Sequence, residues 1–157
     1  MRSAPTPVPR TPDPRPGPDP FPGEADGVAP RPVLVFDGDC GVCTRFARLS
    51  TRLRRRSADY AVAPWQTLDL TTLGLTPQQC DAAVQWVAGD GSVSSSQDAI
   101  ARSLLAARAP VRPLGALILA PGVNTLAGVV YRWVAANRSR LPGGTPACSL
   151  PPAQRPR

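Results

Sequence analysis

Val33-Leu34-Val35-Phe36-Asp37-Gly38-Asp39-Cys40-Gly41-Val42-Cys43 is the stretch on which the fold turns. Its first four residues are a continuous apolar run of strand length, stopped by Asp37-Gly38. A run without polar alternation is what a strand buried on both faces requires, so it reads as a central strand of a covered sheet. A helix is predicted from about Cys40 to Arg56, because Val42, Phe46, Leu49 and Leu53 recur at intervals of four, three and four. That spacing sets all four on one narrow face, the face expected to pack. Tyr60-Ala61-Val62-Ala63 is the natural next strand, and strand, tight turn, helix and strand form the front of an α/β domain.

Further along, Thr76-Pro77-Gln78-Gln79 offers an N-cap followed by proline at the first helical position, so a short helix is predicted there. Ala83 to Val87 alternates like a strand, Gly89-Asp90-Gly91 supplies turn residues, and Ser92-Val93-Ser94 can pair back as a hairpin. Ser95 or Ser96 can cap a helix running to about Arg108, with Ile100, Leu104 and Leu105 on its buried side. Two more helical segments are expected near 113–120 and 124–139. Residues 114–131 carry no charge, which raises the question of a membrane span. Pro121-Gly122 interrupts the stretch, while Leu126, Val130, Trp133 and Asn137 keep helical spacing, so two short helices packed on the domain explain it better.

Working outward to the amino terminus, 11 of the 21 prolines fall within residues 1–32. Proline removes backbone donors, and too few apolar residues are present to offset ordering entropy, so residues 1–31 read as a disordered, partly polyproline II spacer. Residues 152–157 read as a second, short tail, leaving one domain over 32–151. No apolar stretch of signal-peptide length follows Arg2. The net charge is +7, and every basic residue is Arg, a skew like that of GC-rich bacterial coding sequence rather than a functional signal. Four cysteines, two of them far apart at 80 and 148, do not make the dense framework of a small secreted scaffold, and a reducing cytoplasm fits better.

The chemistry lies in Cys40-Gly41-Val42-Cys43. A cysteine at a helix N-terminus faces unpaired backbone N–H groups and the positive end of the helix dipole, both of which favour the thiolate. Cys40 is therefore expected to attack, and Cys43, one turn on, to resolve the mixed disulfide. Arg45, Arg48, Arg52, Arg54, Arg55 and Arg56 lie on the same predicted helix and add a positive field, although a solvated helix face accounts for them better than a partner-binding patch does. Asp39 can cap the helix, and Asp37, at the strand end, can accept the proton of Cys43 during exchange. A zinc site would need Cys80 and Cys148 from distant segments, with no histidine in the chain. Two inert core cysteines are the remaining alternative.

These residues resemble the DCC family of predicted thiol-disulfide oxidoreductases, named for an Asp-x-x-Cys-x-x-Cys signature that Asp37, Cys40 and Cys43 match. The likeness extends to Ala61-Val-Ala-Pro-Trp-Gln66, Ser96-Gln-Asp-Ala99, Tyr131-Arg-Trp-Val-Ala-Ala-Asn-Arg138 and Cys148-Ser-Leu-Pro151. It implies a thioredoxin-like fold, a small mixed central sheet flanked by helices with extra C-terminal helices, and exchange with a thiol or disulfide partner, protein or small molecule, without cofactor or metal. Two departures from thioredoxin itself imply different substrate docking: no Pro directly precedes the strand at 83–87, and Gly-Val stands between the cysteines.

Two rival functions remain. Val33 to Asp39 also resembles the strand and Asp-x-Asp of haloacid-dehalogenase-like phosphatases, with Asp37 as nucleophile, Asp39 as acid and magnesium between. The second paired-acid motif and the phosphate-contacting lysine of that superfamily are missing. A non-enzymatic binding module using the Arg-rich helix on nucleic acid or an acidic protein is the other, without a nucleic-acid motif to support it.

Overall fold

Val33–Phe36 forms β1, and each of its four residues is buried, as a strand covered on both faces must be. The computed structural model describes residues 31–56 and 59–142. The readings made for residues 1–30, for Cys148-Ser-Leu-Pro151 and for 152–157 lie outside the described residues. After β1 come α1 (Gly41–Leu53), β2 (Ala61–Pro64), α2 (Pro77–Ala82), β3 (Gln85–Val87), β4 (Val93–Ser95), α3 (Ser96–Leu105), α4 (Arg112–Leu119) and α5 (Val123–Asn137). The strands make one mixed sheet in the order β2-β1-β3-β4. β2 runs parallel to β1, with Val33 opposite Ala61, while β3 is antiparallel to both β1 and β4. This is the mixed α/β, thioredoxin-like arrangement expected from the sequence.

Alternation along β1 divides the interior in two. Leu34 and Phe36 join Ala47, Tyr60, Val84, Trp86 and Ala99 on one face of the sheet. Val33 and Val35 join Leu70, Leu75, Cys80 and Val87 on the other. Each buried aliphatic or aromatic side chain of β1 contributes about 1.5–3 kcal/mol by leaving water, which makes this short strand the anchor of both cores. Turn chemistry follows the sequence closely. Gly91 has φ +81, a conformation only glycine adopts without cost, in the hairpin between β3 and β4. Thr76 and Gln79 form a reciprocal capping box at α2, with Gln79 N–H donating to Thr76 Oγ1 at 3.3 Å and Thr76 N–H donating to Gln79 Oε1 at 2.8 Å.

Several packing expectations are corrected. α1 buries Ala47 and Ser50, with Cys43 and Phe46 partly covered, while Leu49, expected inside, is 51% exposed. The helix is rotated because small residues at 47 and 50 let Tyr60 pack beneath it. Tyr60 donates its hydroxyl to Ser50 O at 3.1 Å and meets Trp86 edge-on at 5.2 Å. Arg54 Nη1 donates to Tyr60 O at 2.7 Å, which turns this arginine inward while its neighbours stay in water. α1 also ends at Leu53 rather than Arg56, its last carbonyls accepting from Arg108: the Arg108 backbone N–H donates to Leu53 O at 3.0 Å. On α3, Leu104 is buried, but Leu105, also expected inside, is exposed. Ser95 stands at the N-cap of α3 without capping it; its hydroxyl donates instead to Gln85 Oε1. The stripe of Leu126, Val130 and Trp133 points outward, whereas the sequence reading has these residues packing on the domain. No single helix among the described residues is long and apolar enough to cross a membrane.

Burial of weak acids gives the fold a pH dependence. Burial pushes the Cys80 thiol up from 9.0 to about 11, and raises Tyr60 and Tyr131 above their usual range. The unfolded chain therefore releases these protons first, and from pH 9 to about 11 the native state binds more protons, so stability falls as pH rises. Urea unfolding across this window should show a falling midpoint, and Cys80→Ala should remove part of that slope.

Candidate active site

The site is built at the C-terminal end of β1, where the chain must reverse into α1. Asp37 and Cys40 are buried, while Gly38 and Asp39 between them are exposed. The turn is closed by Cys40 N–H donating to Asp37 O at 3.3 Å, and by Thr44 Oγ1 donating to Gly38 O at 3.3 Å. Asp37 Oδ1 accepts from the Asp39 N–H at 3.1 Å, an Asx-type bond that holds the turn from within. Cys40 is the N-cap of α1, with φ −89 and ψ 116, and its carbonyl accepts from Thr44 N–H at 2.9 Å. The expected capping role of Asp39 is thus corrected: the cysteine itself occupies the cap, and the Asp39 carboxylate turns toward β2.

Gln66, in the single 3-10 turn Trp65–Thr67 that follows β2, clamps this turn. Its Oε1 accepts from Gly38 N–H at 3.1 Å, and its Nε2 donates to Asp37 Oδ1 at 3.0 Å and Asp39 Oδ2 at 3.2 Å. The close approach needs a glycine at 38, since a Cβ there would stand 2.8 Å from Pro64 Cβ and 3.0 Å from Gln66 Oε1. One amide thus bridges the two carboxylates that the phosphatase reading would give to magnesium. In the sequence Gln66 stands only as the last residue of the family-like run Ala61 to Gln66, with no role attached to it. Its position directly after β2, the strand paired with β1, was the available signal.

Cys40 and Cys43 sit close together. Their surroundings differ: Cys40 has no exposed surface, whereas Cys43 is half-buried and lines an apolar cavity of about 340 Å³. Phe36, Phe46, Val84, Ile100 and Tyr131 wall the same cavity. Burial of Cys40 means that the sulfur expected to attack is the less accessible of the two. Tyr131 is a second residue the sequence reading did not single out. Its hydroxyl accepts from Val84 N–H at 3.0 Å, immediately ahead of β3. Burial raises the Tyr131 pKa, the Val84 hydrogen bond and Arg138 hold it down in part, and electrostatic coupling to Cys43 and, less so, Cys40 places the phenol in the field of the cysteine pair.

The other candidates contribute less to this place. Cys80 is buried in the core on the opposite face of the sheet and also reaches the wall of the cavity that Cys43 lines, and its raised pKa keeps it a thiol at neutral pH. Cys148 lies outside the described residues, and among those residues no three of His, Cys, Asp and Glu gather as a metal-holding group. Of the arginines expected on this helix, Arg45 reaches away to donate to Pro142 O at 2.8 Å, and Arg48 and Arg52 on α1, with Arg55 and Arg56 beyond its end, remain exposed.

The sequence profile of the DCC1-like thiol-disulfide oxidoreductases matches residues 34–144. The chain belongs to that family. The matched span takes in the cysteine turn, Gln66, the cavity and Tyr131, and its description supports a thiol-disulfide oxidoreductase role for this domain. No curated protein and no solved structure matches the chain.

The Gln66 clamp is testable. Gln66→Leu removes the side-chain donor shared by the two carboxylates and leaves buried Asp37 short of a partner, which is expected to cost about 1–3 kcal/mol in urea unfolding. Gln66→Glu, which substitutes a third carboxylate for the donor, should be at least as destabilising at neutral pH and should recover on acidification.

Proposed function

We propose that this domain performs thiol-disulfide exchange through Cys40 and Cys43, with a thiol or disulfide partner approaching along the cavity beside Cys43. The carrying observation is the placement of Cys40 at the N-cap of α1, with Cys43 in the first turn of that helix and on the cavity wall. The free amides of the first helical turn stabilise negative sulfur, so the Cys40 thiolate is the preferred nucleophile once reached. It attacks one sulfur of the partner disulfide: the partner S–S bond breaks, a mixed disulfide forms, and the other partner sulfur leaves as a thiolate. Cys43 then loses its proton and attacks Cys40 Sγ, releasing the second partner thiolate and leaving a Cys40–Cys43 disulfide. Two electrons pass from the dithiol to the partner, and the reverse sequence oxidises a partner dithiol.

Asp37 is proposed as the base that takes the Cys43 proton. Its buried carboxylate lies in the same turn as Cys40, and its Oδ1 already organises that turn. Burial favours a second order of events, in which Cys43, the more accessible sulfur, meets the partner first and Cys40 resolves. In either order Tyr131 lines the approach. The domain proposed from the sequence, 32–151 preceded by a Pro-rich spacer, and a reducing, cytoplasmic setting belong to the same reading. The phosphatase alternative is not favoured, because Asp37 and Asp39 are both engaged by the Gln66 amide.

Incubating Cys43→Ser and Cys40→Ser proteins with glutathione disulfide, followed by intact-mass analysis, tests the pair. A glutathione adduct on Cys43→Ser forming faster than on Cys40→Ser is the expected result. The opposite ranking assigns first attack to Cys43, and absence of any adduct on both removes the exchange reading. For the base, Asp37→Asn keeps an acceptor for Asp39 N–H and Gln66 while losing the charge. It should fold normally and slow dithiol oxidation on the order of tenfold to a hundredfold. An unchanged rate would leave Asp37 with only its role in the turn.

A further inference from the structure

α5 is apolar on two sides. Its inner side carries Ala127, Tyr131 and Val134, which wall the cavity beside Cys43. Its outer side carries Leu126, Val129, Val130 and Trp133, all between 50 and 64% exposed. Positions i, i+3, i+4 and i+7 form one stripe on a helix, so these four share a face. On α4, Leu114 and Leu117 are likewise more than half exposed. A helix that is hydrophobic all round needs cover on both sides, and a contiguous exposed apolar patch rimmed by polar residues marks an interaction surface.

Charge indicates what covers it. From Ala99 to Pro142 the chain has six arginines, at 102, 108, 112, 132, 138 and 140, and no Asp or Glu. Arg138 pairs with Asp81 at 3.8 Å, and the other five are exposed. A second copy seated face to face would bring these like charges together, whereas an anionic lipid surface complements them. Tryptophan and arginine beside aliphatic side chains is the composition that settles at a membrane interface, with the ring among headgroups and the aliphatic groups at the acyl boundary. Helix geometry favours lying on the bilayer over spanning it. The segments 109–119 and 123–137 meet at 96°, and α5, with 15 residues, is shorter than the roughly 20 apolar residues a span requires.

We propose that the α4–α5 face binds the surface of an anionic bilayer, with the stripe Leu126, Val129, Val130 and Trp133 inserted at the interface and the flanking arginines on lipid headgroups. Val130 belongs both to this stripe and to the cavity wall. The cavity beside Cys43 therefore opens next to the lipid-facing stripe, and a membrane-bound protein would present it to partners held at the bilayer.

The test uses the full chain and vesicles of phosphatidylcholine alone or with about 30% phosphatidylglycerol. Co-sedimentation with the anionic vesicles only, weakened by salt and accompanied by a blue shift of tryptophan emission that Trp133→Phe abolishes, is expected. The double variant Leu126→Asp/Trp133→Asp should lower partitioning at least tenfold, and Arg132→Gln or Arg140→Gln about fivefold each. Leu49→Asp, at an equally exposed leucine on α1, should bind as the parent does, and so should Cys40→Ser, which separates this proposal from the thiol chemistry. Absence of binding to anionic vesicles overturns it, as does equal loss in Leu49→Asp. A concentration-dependent dimer that Leu126→Asp/Trp133→Asp dissociates, without vesicle binding, assigns the face to a second copy instead.

Discussion

Everything in this domain hangs on β1 being buried from both sides. Val33 and Val35 are held by one core, Leu34 and Phe36 by the other, so the strand cannot shift along its axis or roll without exposing apolar surface on one side. The end of the strand is thereby fixed, and with it the turn that follows. Asp37 enters that turn buried, Gly38 passes close under Pro64, and Cys40 arrives at the first turn of α1 already in place. Gln66 ties the same turn to β2, the parallel neighbour of β1, so two strands and one helix determine where the first sulfur sits.

A rigid turn of this kind suits sulfur chemistry because the thiolate needs fixed dipoles rather than mobile solvent. Cys40 caps the helix, while the cavity beside Cys43 offers an apolar approach. The surroundings of the two sulfurs therefore differ: one is hidden, the other half-buried and bordered by Phe46 and Tyr131. The outer face of α5 continues this apolar character to the protein surface, and the chain from 99 to 142 carries arginines and no acids. Cysteine pair, cavity and exposed stripe thus lie in sequence from the end of β1 outward.

Residue spacing disclosed most of this architecture. The four-residue apolar run gave β1, the Thr76-Pro77 cap gave α2, and Gly89-Asp90-Gly91 gave the hairpin, because each depends on local backbone chemistry. Rotation of the helices was less legible. Leu49 and Leu105 fall outside while Ala47 and Ser50 fall inside, because close approach of Tyr60 to α1 favours small residues over large ones at the contact. Leu126, Val130 and Trp133 illustrate the same limit, since helical spacing identifies an apolar face but not what lies opposite it.

Among the candidate site residues, the gathering of Asp37, Cys40 and Cys43 at one strand-to-helix turn was legible because their position after a strand is a local property of the chain. That local order by itself determined a strand, a turn and a helix beginning at a cysteine, together with the family signature. Gln66 and Tyr131 come from segments 29 and 94 residues beyond Asp37, and only folding brings them to the turn and to the cavity wall. Which sulfur is covered and which faces a cavity was likewise decided only by tertiary structure, because accessibility is a property of the neighbours that pack around an atom and not of the sequence on either side of it.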